Sequence, residues 1–363
     1  TGAISQPLFG WLSDRGYGRL LGAGGLLWTV VGLVLSLLAA IAGERTLMIV
    51  LYAASAIGSG AFHPVGTASA AQNVDDAAGD TAWFFLFGQM GLALGPVISG
   101  ILWGLTLGAD GSGGSLFPFF LIAAVAVPSV LFMARMLPTL EQSKQKHAAD
   151  DAATPAEGGL VQWRALGLLA LLVLLRGLAY PGSVAFIPVL FRSKGWSPEA
   201  YGGITSAFWL ASAAAGVLFG YLADRTDRRW VVTVTLLLAA PMYYLMPIVD
   251  GALAFLMVLA AGALVGGCHS IIVVLAQGML PGRKGFASGV ALGFIFGVGS
   301  LGTLALGYLS DGLGPFDGIG LVSSFQFIAI PVILAALMGF TLPATRPKAK
   351  RKPKGNPAAQ GAD

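Results

Sequence analysis

Ten mostly apolar stretches, each long enough to cross a bilayer, follow one another at 20–42, 46–72, 80–107, 115–137, 162–191, 199–223, 230–249, 252–280, 285–310 and 318–342. A shorter run at 1–12 precedes them. A helix of about 20 residues crosses a hydrocarbon core roughly 30 Å thick, and a backbone in that core must satisfy its own hydrogen bonds. The chain therefore reads as an all-α polytopic membrane protein, which a mean hydropathy of +0.79 and a charged share of 10% support. Its 52 glycines suit helices that approach closely in lipid. The single cysteine, Cys268, lies inside an apolar run, so neither a disulfide framework nor a thiolate metal site is available.

Between 138 and 160 the composition changes to charged and small residues, among them Glu141, Lys144, Lys146, Asp150, Asp151, Pro155 and Glu157. Such a stretch cannot bury a core and reads as a solvated linker. The expected organisation is a transmembrane half at 1–137, a linker at 138–160, a second half at 161–343 and a basic tail at 344–363. The tail holds Arg346, Lys348, Lys350, Arg351, Lys352 and Lys354 and supplies much of the net charge of +4. A short basic segment beside a membrane span marks the cytoplasmic side rather than nucleic-acid binding. Alternating the spans backward from it places Asp14 to Arg19, Asp75 to Asp80, the linker, Asp224 to Arg229 and Arg283-Lys284 on that same side. Only Arg45, Arg192 and Lys194 are left for the opposite loops, so the asymmetry agrees with a cytoplasmic C-terminus.

The chain also repeats itself. Gly10, Asp14, Arg15 and Arg19 recur 210 residues later as Gly220, Asp224, Arg225 and Arg229. Arg228 lies in the second cluster, and Gly307 with Asp311 gives a weaker copy without a following arginine. At an offset of 206, Gly60, His63, Gly79 and Gly91 pair with Gly266, His269, Gly285 and Gly297. The chain has three histidines, and two of them fall in register. Two similar halves arranged as parallel repeats follow from this. Each Gly-x-x-x-Asp-Arg cluster falls where one helix leaves the membrane and the next begins. There the aspartate can meet the positive end of a neighbouring helix, and the arginines can bridge to carboxylates across the gap. The clusters, with Asp311, are expected to latch one conformation.

These doubled clusters resemble the loop between the second and third helices of the major facilitator superfamily. The resemblance spans essentially the whole chain and implies two six-helix halves that alternate access to a central site. Residues 1–12 would then be the end of the second helix, with the first helix missing from this sequence. Gly91, Gly95, Pro96 and Gly100 form a glycine-proline series similar to the antiporter motif of the family's fifth helix, where Pro96 removes a backbone hydrogen bond and the glycines thin one face. That favours export over symport.

Within the apolar runs, a few polar side chains suggest a pathway. Arg176 lies about fifteen residues into its run, roughly 22 Å along a helix, too deep to reach the surface easily. Tyr180 is one turn further, before a helix-breaking Pro181-Gly182 pair that would free carbonyls beside a cavity. Arg176 suits either an anionic group of a cargo or a buried ion pair. His63 and His269 also lie within the spans, where histidine can carry protons or pack as a hydrogen-bonded neutral ring. Gln89 and Gln277 suit the pathway or helix-to-helix bonds equally. No metal-ligand spacing appears.

Phe62-His63-Pro64, Arg176 to Tyr180, and Ala276-Gln277 followed by Pro281 to Gly289 are similar to the fosmidomycin-resistance-type exporters of that superfamily. The resemblance implies proton-driven efflux of a small organic, often anionic, compound by a monomer in the bacterial inner membrane. Protons would be the coupling ion, and no cofactor is implied. The family pattern has an acid after the His-Pro pair and another after the Ala-Gln pair, where this chain has Val65 and Gly278. A coupling group would therefore lie on the preceding helix or at His63 or His269. An importer or symporter on the same fold is the nearest rival, and a non-transporting receptor a more distant one. No GxSxG, HExxH, phosphate loop or Ser-His-Asp set argues for an enzyme.

Overall fold

The protein is described by a computed structural model over residues 2–71, 76–106, 115–138, 162–280, 283–313 and 316–345. The charged linker, apart from Pro138, and the basic tail beyond Thr345 lie outside the described residues.

Helices account for almost all of it. The first half comprises α1 (Gly2–Leu12), α2 (Gly18–Ile41), α3 (Arg45–Ala70), α4 (Ala77–Gly104) and α5 (Phe120–Met136). The second comprises α6 (Trp163–Arg176), α7 (Ile187–Ser193), α8 (Pro198–Arg225), α9 (Arg228–Leu245), α10 (Gly251–Ala261), α11 (His269–Met279), α12 (Lys284–Asp311) and α13 (Leu321–Gly339). Eight stretches of the described residues are long and apolar enough to cross a membrane, among them Trp163–Ser193 (α6 and α7) and Gly251–Met279 (α10 and α11). The stretch Gly2–Ile41 is two helices meeting at Ser13–Tyr17, where Gly16 takes a φ of 94° that a side chain would strain. Among the described residues the strands are Gly312–Leu313 and Phe316–Asp317, a small antiparallel pair at the far end of α12. The all-α expectation holds, with helix limits close to those read from hydropathy.

The breaks in the long helices are local and have causes. The chain kinks at Leu178–Gly182, where Tyr180 is extended (φ -149°, ψ 121°), and makes a short π-helical turn at Gly262–Gly266. At Gly262 an added Cβ would stand 2.4 Å from the carbonyl oxygen of Phe208, so the glycine lets α8 approach this turn closely. α8 itself starts on Ser197, whose hydroxyl accepts from the Ala200 amide at 3.4 Å, and α9 on Asp227, which accepts from the Arg229 amide at 3.1 Å.

Helices of opposite halves pack in two matched pairs, α1 with α12 and α4 with α8. α4 and α12 are the helices related by the offset of 206. The largest buried apolar cluster runs through the second half and takes in Ala71, Ala77, Ala78 and Phe85 of the first, so the halves share a core.

Candidate functional site

The two acid-arginine clusters lie at the face where these crossed pairs meet. Asp14 accepts from the backbone amides of Gly285 at 2.7 Å and Phe286 at 2.8 Å, the first turn of α12. Asp224 accepts from the amides of Ala78 at 2.9 Å and Gly79 at 2.8 Å, the first turn of α4. Each carboxylate therefore caps a helix of the other half, where orphan amides and the helix dipole favour a negative charge. Hydrogen bonds to a charged group contribute about 1.5–3 kcal/mol each when made in a buried setting. The Asp224 side chain is fully buried and also meets Arg228 at 2.7 Å.

The motif glycines let these caps form. A Cβ at Gly10 would sit 2.2 Å from the Gly285 carbonyl oxygen, and one at Gly220 would sit 2.7 Å from that of Ala78. The backbones of the two halves touch at both places, leaving no room for a side chain.

The arginines make the expected bridges only in part. Arg15 stacks 3.6 Å over the ring of Trp11, and Arg225 lies 5.4 Å from the ring of Tyr221, its counterpart in the repeat. Arg228 pairs with Asp224 and Arg229 with Asp227, both within the second half. The contact that crosses the gap is Arg225 with Asp76 at 3.9 Å, an exposed pair of little energetic weight. Arg19 lies half-buried along a groove with Tyr17, Leu20, Ala23 and Ala134. Asp311 does not belong to this gate. It ends the 28-residue α12, about 42 Å from the end that Asp14 caps, and accepts from Ser310. Its spacing from Gly307 copies the motif, but its helix runs the other way across the membrane. Lys284, not anticipated from the repeat, donates from the start of α12 to the Ala71 carbonyl at the end of α3, at 2.9 Å, and so adds a further tie between the halves.

Deeper in the molecule, Arg176 closes α6 and is fully buried. Its Nε and Nη2 both donate to the Val265 carbonyl, at 3.1 and 2.7 Å, and its guanidinium stands 4.5 Å over the Tyr180 ring. Val265 lies in the π turn between α10 and α11, and its carbonyl also accepts from Cys268 Sγ at 3.3 Å. The salt bridges among the described residues do not include Arg176. The break at Pro181-Gly182 is present as expected, but its carbonyls are occupied. Tyr243 and Ser183 donate to Ala179, at 2.7 and 2.8 Å, and Thr303 donates to Gly182 at 3.0 Å.

Tyr180 connects this network to the first half, because its hydroxyl accepts from Gln89 Nε2 at 3.2 Å. His269 packs edge-on against Phe85 at 4.4 Å and lies 5.7 Å from Tyr180. His63 and His269 both approach Phe296, at 6.0 and 6.4 Å between ring centroids, so the repeat-related histidines flank one aromatic ring. The Nδ1 atoms of both histidines are buried without a hydrogen-bond partner. Gln277 takes the helix-to-helix role, donating to Ser288 at 2.8 Å. Added Cβ atoms at Gly91 and Gly95 would meet nothing within 4 Å, so neither glycine marks a tight helix contact in this conformation. The side-chain surroundings of Pro96 and the setting of Gly100 lie outside the described residues. Arg176, Tyr180, Gln89 and His269 thus come together, with His63 across Phe296, while Gln277 stands apart. Phe296 and Phe85 were not singled out from sequence, where aromatic residues in apolar helices carry no distinguishing signal.

Comparison with known proteins agrees with this architecture. The family model described as Major Facilitator Superfamily matches residues 1–192 and again residues 169–361. An uncharacterized MFS-type transporter of Bacillus subtilis (strain 168), YfnC, is 28% identical over 359 residues, covering 94% of this chain and 81% of that protein. A fosmidomycin resistance protein of Escherichia coli (strain K12) is 27% identical over 314 residues, covering 85% of this chain and 74% of that protein. Among solved structures, a major facilitator transporter, FucP, in the outward conformation superposes with a TM-score of 0.64 at 14% identity, covering 94% of this chain and 89% of that one. The E. coli fucose:proton symporter FucP gives a TM-score of 0.70 at 14% identity, covering 93% and 87%. With a family model matched across both halves and the expected helical fold, the chain is an integral membrane transporter that belongs to the Major Facilitator Superfamily.

Proposed function

We propose that this protein is a proton-coupled antiporter that exports a small organic compound across a bacterial inner membrane by alternating access, working as a monomer with its C-terminus in the cytoplasm. The observation that carries the reading is the reciprocal capping of α12 by Asp14 and of α4 by Asp224. Helix-capping carboxylates exchanged between two halves make a face that is either closed, with both caps formed, or open, with both lost. Such a bistable contact is what rocking halves need. The positive-inside distribution supports placing this face toward the cytoplasm. The likeness to a fosmidomycin resistance protein supports export and suggests fosmidomycin as the first compound to test.

In this reading Gln89, Tyr180, Arg176, His63 and His269 line the pathway. The histidines are the groups that would exchange protons, since Val65 and Gly278 stand where related exporters are expected to carry acids. Arg176, held by Val265 and Tyr180 in the closed conformation, becomes available to an anionic group only when the Tyr180 ring moves. Gly91, Gly95, Pro96 and Gly100 would set the bending of α4 as the halves rock.

The test is transport by purified protein in proteoliposomes with an imposed pH gradient. Antiport predicts that fosmidomycin moves against the direction of proton flow. A second reading, import by symport, has some support from a gallate transporter of Pseudomonas putida that is 26% identical over 157 residues, although these cover 43% of this chain and 34% of that protein. Movement of compound and protons in the same direction would replace the first reading with the second.

A further inference from the structure

A small cavity between the halves, about 10 Å³ in volume, is lined by Gln89 of α4, Ser212 of α8, and His269 and Ser270 of α11. All four residues are more than nine-tenths buried. Each contributes a buried polar atom without a hydrogen-bond partner: Gln89 Oε1, Ser212 Oγ, His269 Nδ1 and Ser270 Oγ. Ser212 lies beside the Tyr180 hydroxyl without meeting it in hydrogen-bonding geometry. A buried polar group left without a partner is unfavourable, and four residues lining one void each carry one. The void is close to the least volume that holds one water molecule, and a buried water ordinarily makes about three hydrogen bonds.

We infer that this cavity is a binding site for one ordered water molecule that bridges the two halves. The donors and acceptors balance. The water donates one hydrogen to Gln89 Oε1 and the other to His269 Nδ1, and accepts from the hydroxyls of Ser212 and Ser270. That assignment leaves the His269 ring proton on Nε2. Gln89 belongs to the first half and the other three residues to the second, so parting the halves removes at least one of the four partners. The repeat explains why the site occurs once. At the offsets of 210 and 206, Ser212 corresponds to Gly2 and Ser270 to Pro64, which bring no hydroxyl to the matching place in the first half. Gly266 completes the site, because a Cβ there would stand 1.9 Å from Ser212 Oγ and push the hydroxyl aside. The inference does not depend on the cargo or direction proposed above, so a dry cavity and a failed transport assay are separate results.

The experiment is a structure of the whole protein in lipid nanodiscs, in the closed conformation and at a resolution that shows ordered water. One solvent peak is expected within about 3.2 Å of Gln89 Oε1 and His269 Nδ1 and of at least one of the two serine hydroxyls. An empty cavity would overturn the inference. Solid-state ¹⁵N spectra of histidine-labelled protein give an independent reading, with the His269 signals identified by their loss in His269→Asn. An unprotonated Nδ1 that receives magnetisation from water protons is expected; a protonated Nδ1, or one with no transfer from water, would overturn it. In Gln89→Leu the solvent peak is expected to disappear, and a peak unchanged in position would remove Gln89 from the bridge.

Discussion

Asp14 and Asp224 grip repeat-related glycines, each in the other's half. Asp14 accepts from the amide of Gly285 and Asp224 from that of Gly79, both at the start of the helix that the offset of 206 pairs. The two carboxylates therefore make a single crossed closure, and each cap can be removed by itself.

Asp14→Asn and Asp224→Asn are each expected to shift the halves toward separation at this face. Removing the charge weakens bonds that contribute about 1.5–3 kcal/mol, equivalent to roughly 10- to 100-fold in population. Asp224→Asn also leaves Arg228 without its partner. Distances between spin labels placed on either half at this face check both claims, and equal distributions in wild type and variants would contradict them.

Glycine substitutions should divide sharply by position. Gly10→Val and Gly220→Val put atoms where backbone already stands, so closure of this face should fail and cross-linking between cysteines placed across it should be lost. Gly91→Ala and Gly95→Ala meet open space. In a helix they are expected to leave thermal stability unchanged or to raise it by up to about 1 kcal/mol. Thermal unfolding in detergent separates the two groups.

The Gln89–Tyr180 bond is expected to couple the halves by about 1 kcal/mol. A double-mutant cycle with Gln89→Leu and Tyr180→Phe, read in the population of the closed form, should show that the pair costs less than the sum of the single changes. Strict additivity would mean that the bond contributes nothing to closure.

Replacing Arg176 by lysine keeps the charge but loses the two-pronged contact with Val265. A drop in thermal stability equivalent to about 1–3 kcal/mol is expected for Arg176→Lys, from the poorly satisfied carbonyl, whatever happens to transport. A variant as stable as wild type would show that the Val265 contact carries no weight.

Lys284→Met leaves the Ala71 carbonyl without its charged donor. Lys284 is exposed, so closure should weaken by about 1 kcal/mol or less, and Lys284→Arg should restore part of it. The same spin-label distances serve as the measurement.

Much of the fold could be read from sequence because bilayer thickness fixes helix length, and apolar runs report that length directly. The aspartate caps were also foreseeable, since an acid at a helix boundary has few better partners than the amides of a neighbouring helix. Which helix it would cap was not, because that depends on how the halves cross. The arginines follow the expectation in part: Arg225 makes the bridge across the gap, to Asp76, while Arg15 stacks on Trp11, four residues before it. Asp311 copies the motif because spacing carries no direction, but it ends α12 at the opposite end from the one that Asp14 caps. The sequence suggested a cargo charge or an ion pair for Arg176. The carbonyl of Val265, nearly ninety residues away in a π turn, holds it instead, and no residue pattern announces such a turn.

Thr345 gives the gate a further property. Its amide and hydroxyl both donate to Asp227, at 3.2 and 3.1 Å, and its hydroxyl accepts from the Arg228 amide at 2.9 Å. Arg228 in turn holds Asp224. A segment attached after α13 is thus fastened to the same loop that closes the two halves. The last helix and the second acid-arginine cluster are therefore hinged on one another, so the end of α13 shares in whatever movement frees Asp224.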